Sequence, residues 1–192
     1  MPNRAGEVLD FWFGREGGPE YAKFRDEWFR KDPAFDASVT ARFFDLYEEA
    51  AAGDLDGWRE DAESCLALVI VLDQFPRNMF RGDGRTHAED DRALGASKHA
   101  VERALDRELP AFMRMFLYMP FMHSENVEDQ RRSVELFERL AGEEGAPDVV
   151  SYAVAHRSIV ERFGRFPHRN EILGRDTTPE EAVFLTTEGS SF

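Results

Sequence analysis

Apolar positions along this chain recur three and four residues apart, the spacing that lines one face of a helix. Leu68, Val69 and Leu72 share such a face, as do His156, Ile159, Val160 and Phe163. Apolar and polar residues nowhere alternate long enough to predict a strand, and no Asn-Gly pair marks a hairpin. The pattern predicts helices over 4–13, 20–30, 33–52, 61–74, 86–106, 110–119, 126–141, 148–163 and 179–187. Punctuation supports them. Thr86-x-x-Glu89 and Thr178-x-x-Glu181 read as capping boxes, and Pro179 takes the first helical position, where its missing N–H does no harm. Asp32-Pro33 and Leu109-Pro110 read as starts of the same kind, although leucine caps poorly.

Two segments are apolar on every side. Cys65 to Leu72 is the longest uninterrupted apolar run, so the helix over 61–74 is expected to pass through the centre. Ala111 to Met122 is the other buried candidate. Its methionines read as adaptable core filling rather than as the lining of a ligand pocket, and Arg114 must reach water or find a carboxylate. Phe11, Trp12, Phe13, Trp28 and Phe29 read as staples between short helices rather than as a docking patch. The Gly82–Gly84 and Gly142–Pro147 linkers are short, so residues 1–192 are expected to form a single domain.

Composition adds compartment and charge. At 192 residues the chain can bury a substantial core, and 17 phenylalanines supply it. The formal charge of −14 disfavours nucleic acid and anionic membrane surfaces as partners. One stretch runs against that field: residues 156–175 hold Arg157, Arg162, Arg165, Arg169 and Arg175 against Glu161 and Glu171. Such a positive island suits a small anion. A single cysteine, Cys65, rules out an intrachain disulfide. With no apolar leader at the start and no run near the roughly 20 residues that span a bilayer, the chain reads as cytoplasmic.

Two stretches echo each other, Asp73-Gln-Phe-Pro-Arg-Asn78 and Gly164-Arg-Phe-Pro-His-Arg-Asn170. Each reads as a helix stop, because proline breaks the hydrogen-bond ladder and biases the phenylalanine before it away from the α region. The Arg and Asn that follow could then bond freed carbonyls. The Pro120 break similarly places His123 and Glu125 in a turn ahead of the next helix.

Together with Phe11-Trp12-Phe13-Gly14 and Tyr118-Met-Pro-Phe-Met-His-Ser-Glu125, these stretches resemble the bacterial domain-of-unknown-function family numbered nine hundred and twenty-four, from about residue 7 onward. The resemblance implies an all-α fold: antiparallel helical hairpins packed in a tetratricopeptide-repeat-like right-handed array around a central apolar helix. It implies no activity and carries no catalytic residues across.

The candidate ligand-binding set is Asp73, Arg77, Asn78, His123, Glu125, His156, Arg165, His168, Arg169 and Asn170, all at or near ends of apolar helices. Converging Arg and His groups would bind a carboxylate or phosphate, since guanidinium pairs bidentately with either. The leading reading is a binding module for a small anionic ligand or a peptide carboxylate, with no cofactor. One alternative is a metal-assisted hydrolase built on His123, Glu125 and His156; another is a protein-interaction scaffold. His87 and Asp91 could face one ion from a helix, though acidic residues in a first turn are better explained by the helix dipole. No HExxH, G-x-S-x-G or phosphate-cradling glycine motif occurs, and Cys65 reads as a buried, inert thiol.

Overall fold

The computed structural model describes residues 3–21 and 23–191. Among them no strand occurs, and the chain runs through α1 (Arg4–Phe13), α2 (Pro33–Ala52), α3 (Ala62–Val69), α4 (Phe75–Met79), α5 (Asp90–Glu102), α6 (Ala111–His123), α7 (Val127–Leu140), α8 (Val150–Phe163) and α9 (Pro179–Phe184). Short 3₁₀ turns connect several of them.

Local chemistry sets most of the starts. The Asp32 carboxylate accepts from the N–H groups of Ala34 and Phe35 ahead of Pro33, and Asn126 does the same for Glu128 and Asp129. Thr178 and Glu181 form the full reciprocal capping box of α9. The box expected at Thr86 does not form. Its hydroxyl donates to the Phe80 carbonyl at 2.6 Å within the 3₁₀ turn Gly84–His87, and α5 starts later, at Asp90, without a side-chain cap. The helix expected over 20–30 reduces to one 3₁₀ turn, Asp26–Trp28, with Ala22 lying outside the described residues. Arg25 is extended there because its guanidinium reaches back to the Phe11 and Trp12 carbonyls at 2.8 and 3.1 Å, tying the segment to the end of α1.

The central helix is where the apolar run placed it. Every residue from Cys65 to Leu72 is at most 1% exposed, and α1, α5 and α6 pack around α3. Burial pushes the Cys65 thiol up to about 12, so it stays protonated. Trp12, Phe13, Trp28 and Phe116 form an aromatic knot beside it, with Trp28 edge-on to Phe116 at 4.9 Å. Phe29 is not a core staple: it is 51% exposed and stacks on the still more exposed Phe24. Arg114 finds its carboxylate, Glu143, at 2.8 Å. From α6 the packing continues through α7 to α8. A smaller cluster of Ile159, Val160 and Phe166 closes that end with Phe163 and Phe184.

The prolines correct the expected corners. Pro76 does not stop its helix. Phe75 keeps α geometry (φ −61°, ψ −41°), and the chain passes from α3 into α4 through a π segment, Ile70–Gln74, in which the Phe75 N–H bonds the Ile70 carbonyl five residues back. The wider turn relieves the clash a proline ring makes with the carbonyl four residues earlier. Pro120 likewise lies inside α6, so His123 is that helix's last residue and Glu125 alone of the pair sits in the turn. At the second corner α8 ends before the Phe-Pro pair, at Gly164, whose φ of +68° is left-handed; Phe166 is then extended. The two stretches share residues but not geometry.

Truncating the aromatic knot should be costly. Phe116→Ala is expected to lower the unfolding free energy by about 3–5 kcal/mol. Val183→Ala on exposed α9 should change it by less than about 0.5 kcal/mol. Urea unfolding followed by far-ultraviolet circular dichroism measures both.

Candidate functional site

The π segment carries Asp73 into the interior with no exposure to water. Its Oδ1 accepts from His123 Nδ1 at 2.7 Å and meets Arg77 Nη1 at 3.2 Å, while Gln74 Nε2 donates to Oδ2 at 2.5 Å. Arg77 also donates to the Asp73 carbonyl and, through Nη2, to Asp90 Oδ1 at 3.0 Å. His87 Nδ1 and Arg169 Nη1 lie 3.1 and 3.5 Å from Asp90 Oδ2. Five elements thus meet: the π segment with α4, the 3₁₀ turn Gly84–His87, the start of α5, the end of α6, and the 3₁₀ turn Pro167–Arg169.

Burial alone would raise the Asp73 carboxyl, but Arg77 and His123 outweigh it and hold the group below its usual range. Burial, with Arg77 beside it, lowers His123 despite the opposing pull of Asp73. The lowering favours the neutral ring, whose Nδ1–H then donates to the Asp73 carboxylate.

The neighbouring ring cluster centres on Phe166. His156 and His168 flank that ring, each at 5.6 Å, and the Arg169 guanidinium lies over it at 4.4 Å. His156 Nδ1 donates to the Tyr152 carbonyl at 2.8 Å, one turn back in α8. Burial is the largest cause pushing His156 down to about 3 and His168 down to about 4, and the charge of Arg169 adds to both.

Arg169 stands apart from the other arginines here. Its side chain is 8% exposed, its nearest carboxylate oxygen is 3.5 Å away, and its Nε is buried with no hydrogen-bond partner among the described residues. Burial lowers it to about 10, with Arg77 pushing the same way.

The remaining candidates divide between two other networks. Glu125 Oε1 accepts from the Phe166 N–H at 2.8 Å, and Oε2 accepts from Arg175 at 2.6 Å; Arg175 also donates to the Phe166 carbonyl and to Asn170. Burial would raise Glu125, but these donors prevail and keep it ionised. Arg165 binds Glu181 through Nε at 2.6 Å and Nη2 at 2.8 Å, and Asn170 reaches Glu181 at 3.3 Å, so both serve the α9 junction. Asn78 points to the other side of α4, donating to Asp36 at 2.8 Å beside Arg81. His87 pairs with Asp90 rather than Asp91.

Asp73, Arg77, His123 and Arg169 therefore gather at one cluster, with His156 and His168 against it. Glu125 ties that cluster's edge to the C-terminal segment, whereas Asn78, Arg165 and Asn170 lie in structural ties. Two members had no sequence signal as site residues: Gln74, inside an apolar helix, and Asp90, beside the more conspicuous Asp91. Arg175 belonged to the positive island, which marked its charge but not its partner. An open groove of about 560 Å³ runs beside the cluster, between α5 (Asp91, Lys98) and the turn into α7 (Ser124, Glu125, Asn126).

The family model described as "Bacterial protein of unknown function (DUF924)" matches residues 8–189. The chain belongs to this family. It is also similar to a solved structure of a protein of unknown function, ATU0120 from Agrobacterium tumefaciens. The two are 45% identical with a TM-score of 0.82, over 95% of this chain and 97% of that one. No protein of curated function matches. The family thus shows an all-α fold and assigns no reaction. Among the described residues no three His, Cys, Asp or Glu side chains are grouped to hold a metal ion, and no helix is long and apolar enough to cross a membrane.

The depressed histidines set an acid limit. A folded pKa below the unfolded value near 6.5 gives stability that is full above pH 6.5 and is lost as pH falls toward about 4. His156→Gln and His168→Gln should flatten the fall between pH 6.5 and 4.5, before carboxylates titrate. Urea midpoints measured across that window test this.

Proposed function

We propose that the chain is a cytoplasmic, single-domain binding module of tetratricopeptide-like helical hairpins, whose site takes a small anion, a carboxylate or phosphate, at Arg169. One observation carries the reading: a nine-tenths buried arginine whose Nε–H has no acceptor among the described residues. An unmet buried donor costs about 1–3 kcal/mol, so keeping one argues for an acceptor arriving from outside. Arg77, His87 and Asp90 keep 21, 13 and 17% of their side chains exposed, which leaves the cluster reachable.

With His123 and His168 neutral the cluster is balanced, since Asp73 and Asp90 answer Arg77 and Arg169. An incoming anion is then compensated by a proton taken up on His123 or His168. Affinity in this reading rises as pH falls below neutrality, and binding consumes protons. The formal charge of −14 keeps long polyanions such as nucleic acid away while a small anion can enter.

The hydrolase alternative draws no support from the geometry. Glu125 is engaged by Arg175 and the Phe166 amide, and His156 is turned to its own helix carbonyl.

The two arginines should separate cleanly. Arg77 ties Asp73 to Asp90, so Arg77→Ala is expected to destabilise by about 3–5 kcal/mol by stranding buried carboxylates. Arg169→Met, close in volume, should leave the melting temperature unchanged or raised, yet abolish binding of acetate and inorganic phosphate at this site. Titration of each anion followed by the Arg169 Nε–H resonance reads the wild type, and calorimetry in two buffers of different ionisation enthalpy reads proton uptake. A sharp drop in melting temperature on Arg169→Met, or an Nε–H signal indifferent to both anions, would overturn the reading.

A further inference from the structure

A second cavity, of about 430 Å³, opens at the far end of α6. Its walls are the 3₁₀ turn Leu105–Glu108, α6 and α7, and they bring together Asp106, Arg107, Arg114, Tyr118, Arg132 and Arg139. None of these residues touches the cluster around Asp73 through any hydrogen bond or ion pair described above.

Four guanidinium groups in one hollow are unexpected in a chain of charge −14. Some are already answered. Arg114 is paired with Glu143, and Arg132 and Arg139 share Glu135 from the outer face of α7 at 2.9 and 3.7 Å. Arg107 makes no ion pair among the described residues, and the hollow keeps a positive excess. In addition, the Nε of Arg114 is buried with no acceptor in good hydrogen-bonding geometry among the described residues, although the guanidinium also interacts with the Tyr118 hydroxyl.

The wall also holds an acceptor in the same condition. Asp106 is 7% exposed. Tyr118 donates to its Oδ2 at 2.6 Å, and burial followed by that hydrogen bond pushes the phenol up, so it stays a donor. Oδ1 of the same carboxylate is buried and has no partner among the described residues. The turn presenting Asp106 and Arg107 follows Ala104, the one non-glycine residue at positive φ (+59°) among those described. A side chain in that conformation costs about 1–2 kcal/mol, strain of the kind retained where a turn must aim its residues.

A ligand satisfying these groups together needs an anionic end for Arg107 and the Arg114 Nε–H, and a donor for Asp106 Oδ1. The aliphatic side chains of Val101 and Leu136 complete the hollow and suit a short carbon skeleton. We propose that this cavity binds a small hydroxylated phosphomonoester, the phosphate on the arginines and a hydroxyl donating to Asp106.

Glycerol 3-phosphate is the probe, titrated by calorimetry into the intact chain beside inorganic phosphate and glycerol. Saturable one-site binding is expected for the ester, at least about tenfold tighter than for inorganic phosphate, with none for glycerol. Arg107 is exposed and unpaired, so Arg107→Ala should keep the melting temperature and weaken the ester about tenfold or more. Asp106→Asn should narrow the gap between ester and inorganic phosphate. If that variant unfolds, Arg107→Ala and the comparison of probes still decide. The assignment falls if the ester does not bind at millimolar concentration, or binds Arg107→Ala as tightly as wild type. It also falls if the ester binds no better than inorganic phosphate. Binding lost in Arg169→Met but kept in Arg107→Ala would place the phosphate at the first cluster and overturn this site alone.

Discussion

A carboxylate cut off from water is tolerable only when its charge is answered on the spot, and the Asp73 side chain sets that condition for the molecule. Its partners come from His123 at the end of α6 and from Gln74 and Arg77 on its own helix. Arg77 passes the constraint to Asp90, and Asp90 passes it to His87 and Arg169. One buried charge therefore fixes how α4, α5 and α6 approach each other, while the segment after α8 meets them only through the longest of these contacts. The apolar core supplies most of the driving force for collapse, but an oily contact tolerates sliding. A chain of ion pairs at 2.7 to 3.2 Å does not.

The same chain explains why the site and the fold are hard to pull apart. Arg77 and His123 resemble ligand groups by type and act as fasteners by geometry. Arg169 is the exception, lying over the Phe166 ring with a donor unspent. Glu125 and Arg175 brace the Phe166 backbone from the other side, through its N–H and its carbonyl. The guanidinium is thus held over a ring whose own position is fixed twice.

What could be read from the chain follows the range of the interactions involved. Asp32 and Thr178 act on amides two or three residues away, so their helix starts were legible. The run Cys65 to Leu72 was legible because burial on all sides needs only apolar residues in succession. Thr86 carried the same local signal and failed, since the Phe80 carbonyl captured its hydroxyl. Pro76 and Pro120 failed as stops for a tertiary reason: both lie in buried helices held by packing on every side, which outweighs the lost hydrogen bond. Of the candidate site, the meeting of Asp73 with His123 was legible as a wager on helix ends. The division among Arg77, Arg165 and Arg169 was not, because each is decided by a carboxylate from another element.

The π segment at Ile70–Gln74 has a bearing on how relatives of this chain are to be compared. A π turn accommodates one residue more than an α turn, so beyond Gln74 every side chain points where its predecessor would in an uninterrupted helix. A homologue that keeps the residues of α3 but winds straight through would carry one residue fewer before its Phe-Pro pair. Matching the two without a gap at that point would pair Asp73 with a residue on the wrong side of the cylinder. The correct correspondence opens a single-position gap inside a helix, where such gaps are ordinarily refused.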